Sequence, residues 1–190
     1  PYAMPAFISL LVFRLMFNGI GPINNMLVNF GIERIPFFTD PILAKISVLA
    51  INTWVGAPYF MVLLSGSLTN ISSTLYEAAE IDGATKMQQF KHITLPMLLF
   101  QTAPVLILSF AYNFNNFGAI YLLTDGNPVN SNLKFAGETD ILVTWLYKLT
   151  VNQQQFGMAA VISIVLFAFI ATVSLYNFRK SKSFTEEDMI

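Results

Sequence analysis

The sequence predicts an all-α, polytopic transmembrane helical bundle, and three observations predict it. The first is composition: of 190 residues, 55% are hydrophobic and only 11% charged, with a mean hydropathy of +0.59, where a soluble domain carries about 25% charged residues. The second is segment length: four apolar runs approach or exceed the ~20 residues that a helix needs to cross the hydrocarbon core. The third is the punctuation between them, where Gly, Pro and Asn cluster in two connections and helix-capping patterns fill another. The net charge of −1 offers no basic face for nucleic acid, so membrane lipid is the expected surroundings. The absence of cysteine removes disulfides and thiolate metal sites.

The four expected spans are residues 1–17, 42–64, 95–123 and 156–178. Arg14 and Lys45 stand near segment ends, where long side chains reach the headgroups. Pro5, Pro58 and Pro104 fall inside segments, which membrane helices accept when neighbours re-satisfy the backbone. Gly56 and Pro58 are expected to break the second helix near its middle. The chain opens at Pro1 inside an apolar run, with no charged region before it and no cleavage site after it, so it does not read as a signal peptide. It is expected to form one transmembrane domain over 1–190, incomplete at its N-terminus.

The connections differ in kind. Residues 18–41 form a loop rich in Gly and Pro, and residues 124–155 begin with the turn string Asp125-Gly126-Asn127-Pro128. An amphipathic stretch follows from Thr139, with Ile141, Trp145 and Leu149 on one face and Trp145 and Tyr147 suited to a membrane interface. Arg179, Lys180 and Lys182 place the C-terminus in the cytoplasm by the positive-inside rule, and four crossings put residues 65–94 there too. The acidic run Glu186-Glu187-Asp188 reads as a solvated tail.

The cytoplasmic loop 65–94 has its own grammar. Thr74 to Glu77 and Thr85 to Gln88 each match a capping box, in which side chains satisfy orphan amides at a helix start. A short helix over 77–82 should stop at Gly83, and a second should stop before Pro96. Ala78, Ala79, Ile81, Ala84, Met87 and Phe90 would make a compact apolar knob. Capping boxes are common, and an ordinary helical hairpin with no partner would show the same pattern.

In the third segment, Ser109, Asn113 and Asn116 share one helical face with Tyr112 beside them, while Phe110, Phe114 and Phe117 cover other directions. Amides deep in lipid are costly without partners. Two readings stand: a pocket whose amides and hydroxyls bond a neutral sugar between aromatic faces, or hydrogen bonding between helices.

The string Glu77-Ala78-Ala79, three residues, Gly83, nine residues, Ile93-Thr94-Leu95-Pro96 resembles the EAA loop of binding-protein-dependent ABC importer permeases at every defined position. The whole chain resembles the C-terminal part of the maltose/maltodextrin permease subunits of the MalF type. Pro1-Tyr2-Ala3-Met4-Pro5, Asn52 to Tyr59, the EAA loop and Ser109 to Phe117 carry the likeness. The resemblance implies a type I importer core in the bacterial cytoplasmic membrane. Its coupling helix, with Glu77, Ala78, Ala79 and Gly83 at the contact, would dock on an ABC ATPase dimer. It implies sugar contacts at Val55, Gly56, Tyr59, Ser109, Tyr112, Asn113 and Asn116. Two positions depart from the family pattern: Tyr112 stands where Phe is usual, and Ala6 where a sugar-contacting Ser is expected. A second permease subunit and an external sugar-binding protein are implied as partners, the latter seated on residues 18–41 and 124–155.

By the same resemblance the function would be ATP-driven import of a maltodextrin-type oligosaccharide, or of another oligosaccharide, by alternating access. The chain carries no Gly-x-x-x-x-Gly-Lys-Ser/Thr phosphate loop, so ATP and Mg would be bound by the partner ATPase, with no cofactor and no catalysis in this chain. An ion-gradient-driven transporter or an intramembrane enzyme would need ionisable groups at depth. No acidic residue lies in the four segments. His92, the single histidine, has no ligand cluster around it in the sequence.

Overall fold

The computed structural model describes residues 3–180, the side chains of residues 177, 178 and 180 excepted. Pro1, Tyr2, Lys182 and the run Glu186-Glu187-Asp188 lie outside the described residues. The described chain is helical throughout its regular structure, apart from an isolated antiparallel bridge between Val129 and Gly137. It divides into two compact units, one of Pro1–Pro58 with Asn113–Phe169, the other of Tyr59–Tyr112 with Ile170–Ile190.

The helices are α1 (Ala6–Met16), α2 (Pro22–Asn29), α3 (Pro41–Thr69), α4 (Ser73–Ile81), α5 (Lys86–Gln89), α6 (Leu95–Phe114), α7 (Phe117–Leu123), α8 (Leu142–Tyr147) and α9 (Phe156–Lys180). A π-helical turn, Phe90–Thr94, fuses α5 to α6, and another, Lys148–Asn152, extends α8. Three stretches are long and apolar enough to cross a bilayer: Pro41–Thr69, Lys86–Phe114 and Phe156–Tyr176. At 1.5 Å per residue the first two reach about 43 Å and the third about 31 Å, against a core of about 30 Å.

Three sequence expectations need correction here. The first apolar run forms only the 11-residue α1, about 16 Å long and too short to cross by itself. The second helix is not broken at Gly56 and Pro58: α3 continues through both to Thr69. One proline removes one ladder bond, which does not end the helical assignment. The third run is not one helix to Leu123: α6 ends at Phe114, and α7 starts afresh at Phe117.

In the first unit, Leu10 of α1, Val48 and Ile51 of α3, and Ala119, Ile120 and Leu123 of α7 form the buried core, with Phe13, Phe17, Phe38 and Val55 packed on it. The two basic residues expected to reach headgroups have protein partners instead. Arg14 donates to the Leu122 carbonyl (3.2 Å), where the last carbonyls of α7 lack intrahelical donors and carry partial negative charge. Lys45 pairs with Glu138 at 2.5 Å.

Two loops of this unit are held by buried polar groups. Asn24, fully buried in α2, donates to the carbonyls of Asn18 (3.1 Å) and Ile35 (2.9 Å) and accepts from the Ile35 amide (2.8 Å). Asp140 accepts from the Gly137 amide and from Lys148, at 2.6 and 2.8 Å, and the ion pair is nearly buried. The expected amphipathic stretch forms as α8 and its π-turn. Leu149 is buried, and the Trp145 indole donates to the Lys134 carbonyl (3.1 Å).

Because Asn24 satisfies three backbone groups from inside the loop, Asn24→Ala should destabilise the folded chain by about 2–4 kcal/mol, the cost of leaving such groups buried and unpaired. Thermal unfolding of the detergent-solubilised protein checks this; a midpoint equal to wild type would show the loop to be held by other contacts.

Candidate functional site

Two places carry the sequence-nominated residues. The first is the break between α6 and α7. Asn116 is the N-cap of α7: its Oδ1 accepts from the Ala119 amide (3.3 Å), satisfying one of the donors a helix start leaves open. The same side chain donates through Nδ2 to Asn52 Oδ1 on α3 (2.9 Å). Asn52 in turn donates through its own Nδ2 to Asn113 Oδ1, near the end of α6 (3.2 Å). One amide on α3 therefore holds both sides of the break.

This arrangement revises the geometry expected from spacing. Asn113 and Asn116 do not share a helical face, because the helix ends at Phe114 between them. They converge because both reach Asn52. The inter-helix bonding weighed as an alternative is thus present. Asn52 is the residue that sequence reasoning missed as a partner. The signal available was an amide in an apolar helix, inside a string already quoted for its resemblance.

Of the other nominated sugar contacts, Val55 and Gly56 follow Asn52 on α3 in the first unit. Val55 packs against the core, and open space surrounds the position a Gly56 Cβ would take. Tyr59, Ser109 and Tyr112 belong to the second unit. Tyr59 meets the Phe60 ring edge-on at 5.3 Å, and Tyr112 is 67% exposed. Ala6 opens α1. The phenyl groups beside the amides are engaged within the first unit: Phe114 lies 5.2 Å from Phe169, and Phe117 stacks on Tyr121 at 4.9 Å and meets Tyr147 at 5.1 Å.

The second place is the loop between α3 and α6, in the second unit. Its first helix starts earlier than the expected capping box: Ser72, not Thr74, is the N-cap of α4, accepting from the Thr74 amide. The nominated Glu77 therefore lies within α4 and not at its start. The helix ends as expected. Gly83 takes φ +79°, the left-handed backbone that glycine tolerates. The Ala84 amide donates to Ala79 O (2.8 Å) and the Gly83 amide to Glu80 O (3.0 Å), the paired bonds of a Schellman stop. The second capping box, Thr85 with Gln88, forms in both directions.

The helix that follows does not stop before Pro96. The π-turn carries it straight into α6, with the Leu95 amide donating five residues back to Phe90 O. A π-turn inserts one residue and leaves one carbonyl without a ladder donor, and Pro96, with no N–H to give, follows two residues after the turn ends. His92 is exposed, and its ring Nδ1 donates to the Gln88 carbonyl at 3.0 Å.

Glu77 and Ala78 face outward on α4, as does Ile81 at 86% exposure, and Met87 on α5 is also uncovered. The expected apolar knob is therefore not packed on itself. Its large side chains point away, and a groove of about 320 Å³ lies between the two helices, lined by Ala79, Gly83, Ala84, Gln88, His92 and Ile93 among others. Lys86 reaches back to Glu80, and that ion pair holds the Glu80 carboxyl below the usual carboxylate range. The pair is fully formed at neutral pH and is lost only as pH falls through that lowered value.

Curated relatives match almost the whole chain. The galactooligosaccharide transport system permease GanP of Bacillus subtilis is 41% identical, covering 98% of this chain and 45% of that protein. The maltodextrin permease MdxF of the same organism is 43% identical over 100% of this chain and 46% of that protein. The maltose/maltodextrin permease MalF of Vibrio vulnificus is 46% identical over 96% and 36% respectively. The chain thus spans less than half the length of these relatives. Among solved structures, a bacterial ABC transporter that imports the acidic polysaccharide alginate superposes with a TM-score of 0.80 at 25% identity, covering 98% of this chain and 63% of that one. With the binding-protein-dependent transport system inner membrane component family matching residues 1–182, and three helices fit to cross a bilayer, the chain is a membrane-embedded member of that family.

Proposed function

We propose that this chain is the pathway-forming part of a permease subunit in an ATP-driven importer of neutral, maltodextrin-type oligosaccharides. The observation that carries this reading is the EAA loop itself. Glu77, Ala78 and Ala79 sit on a short helix that Gly83 closes in a Schellman turn, with Glu77 and Ala78 turned outward where a partner can reach them. Docked on an ABC ATPase dimer, this helix would move with ATP binding, and the spanning helices would expose a site first outward and then inward. ATP and Mg belong to that partner, and this chain performs no catalysis. A second permease subunit and an external sugar-binding protein complete the assembly. A relative in the alginate system was solved with such a periplasmic protein bound.

Neutral substrate follows from charge. Residues 46–64 and 95–123 contain no Asp, Glu, Lys, Arg or His, so an acidic sugar such as alginate would find no counter-charge there. Val55, Gly56, Tyr59, Ser109, Tyr112, Asn113 and Asn116 are the proposed sugar contacts, with Asn52 holding the two asparagines in place. The same lack of ionisable groups disfavours a transporter driven by an ion gradient, which needs an acid or base to couple to. The names of relatives leave maltodextrin and galactooligosaccharide as the nearest competing substrates.

Uptake in cells separates the two roles of the asparagines. Asn113→Ala and Asn116→Ala should lower uptake of one oligosaccharide series at least tenfold with normal membrane levels. Unchanged uptake across maltose, longer maltodextrins and galactooligosaccharides would reduce them to inter-helix bonding. Asn52→Leu deletes both amide bridges, each worth about 0.6 kcal/mol in a membrane helix pair, so it should lower the unfolding midpoint in detergent as well as uptake. At the cytoplasmic end, Gly83→Val forces a β-branched residue to positive φ, costing about 1–3 kcal/mol. Co-purification of the ATPase should fall and insertion persist; full recovery of the ATPase with normal uptake would remove the docking role.

A further inference from the structure

We propose that the hydrogen bond between Tyr76 and Thr94 is the strut that passes movement of the docking helix to the spanning helix, a role resting on the import reading above. The Tyr76 hydroxyl and Thr94 Oγ1 stand 2.8 Å apart, joining residues 18 apart in sequence. Tyr76 and Ala79 are the half-buried residues of α4, and the others are exposed. They lie three apart, so they share the helix's inward face, opposite the outward Glu77 and Ala78. Thr94 is 9% exposed and is the last residue of the π-turn, directly at the foot of α6.

Besides the exposed Lys86–Glu80 ion pair beside the turn, two attachments hold α4 to α6. One is covalent, the turn through Gly83, Ala84 and Thr85. The turn and the ion pair beside it both lie at the C-terminal end of α4, so on their own they let a force applied at Glu77 and Ala78 tilt α4 about that end relative to α6. The second attachment is the Tyr76–Thr94 bond, made on the inward face five residues before the helix ends. With both in place α4 moves with the base of α6 as one body. The π-turn matters because it carries α5 into α6 without a break, so Thr94 belongs to the spanning helix and not to a loop.

Tyr76 and Thr94 are positioning residues, and the test measures coupling in place of binding. The intact transporter, reconstituted in liposomes with its ATPase, second permease and binding protein, would be given labelled maltotriose, and sugar imported per ATP hydrolysed would be recorded. Y76F removes only the hydroxyl, and T94V replaces Thr94 with an isostere that cannot bond. Each should lower that ratio about fivefold or more, the scale of a modest coupling free energy, while ATPase co-purification and membrane level stay at wild type. The double variant should fall no further than either single one, since both delete the same bond. T94S, which keeps the hydroxyl, should restore the ratio. A wild-type ratio in Y76F or T94V overturns the proposal. So do losses that multiply in the double variant, or disappearance of Y76F permease from the membrane, which would make the bond a folding contact. The wild type run in parallel keeps the two readings apart. No ATP-dependent uptake in wild type removes the import reading and the strut with it, whereas equal coupled uptake in wild type and Y76F removes only the strut.

Discussion

A backbone break at the end of an apolar helix must find hydrogen-bond partners within the protein, and the arrangement around Asn115 and Asn116 follows from that constraint. Lipid supplies no donor or acceptor, so every amide freed where α6 ends and α7 begins has to be met by a neighbour. Asn116 answers twice, capping α7 with its oxygen and reaching α3 with its nitrogen. Asn52 completes the exchange by donating to Asn113. With the start of α7 stabilised, that helix packs on α1, and the buried core of Leu10, Val48, Ile51, Ile120 and Leu123 forms around that contact. The Arg14 bond to the far end of α7 fits the same logic, since that end too exposes unpaired carbonyls.

The loop between α3 and α6 solves a different problem with similar means. The role proposed for this loop requires that it not fray, and three of its helix ends are closed by specific devices. Ser72 caps the start of α4, the Schellman bonds around Gly83 close its end, and the Thr85–Gln88 box opens the next helix. What remains uncovered is apolar and outward, Ile81 and Met87 above all. An outward apolar pair of that size fits the docking contact proposed above.

Much of this was legible in the residues. The long apolar helices α3 and α9, the stop at Gly83 and the Thr85 capping box all rest on local chemistry: apolar length, one positive φ, one side chain three residues from its amide. The misses share a different cause. Ser72 displaced Thr74 because adjacent hydroxyls compete for the same orphan amides, and only the built turn decides between them. The helix ran past Pro96 because a π-turn absorbed the missing donor, which no periodicity shows. Asn52 was passed over as a partner because the residues it bonds lie 61 and 64 positions away. An amide in an apolar run announces a cost but not the neighbour that meets it.

The two readings of the asparagine cluster, sugar contacts and helix bonding, cease to compete once their energies are considered. A side-chain hydrogen bond between membrane helices is worth only about 0.6 kcal/mol on average, because the separated helices find other partners. A sugar hydroxyl can both donate and accept, so it can replace one amide of the Asn52–Asn113–Asn116 set at almost no net cost. A charged side chain in the same place would bind far more tightly in low dielectric, and release would then be the slow step. A neutral, mutually satisfied amide cluster is stable when empty and exchangeable when a hydroxyl arrives. Transport demands that combination, because a site that must load from one side and empty to the other cannot hold its ligand with interactions stronger than those it can re-form without it.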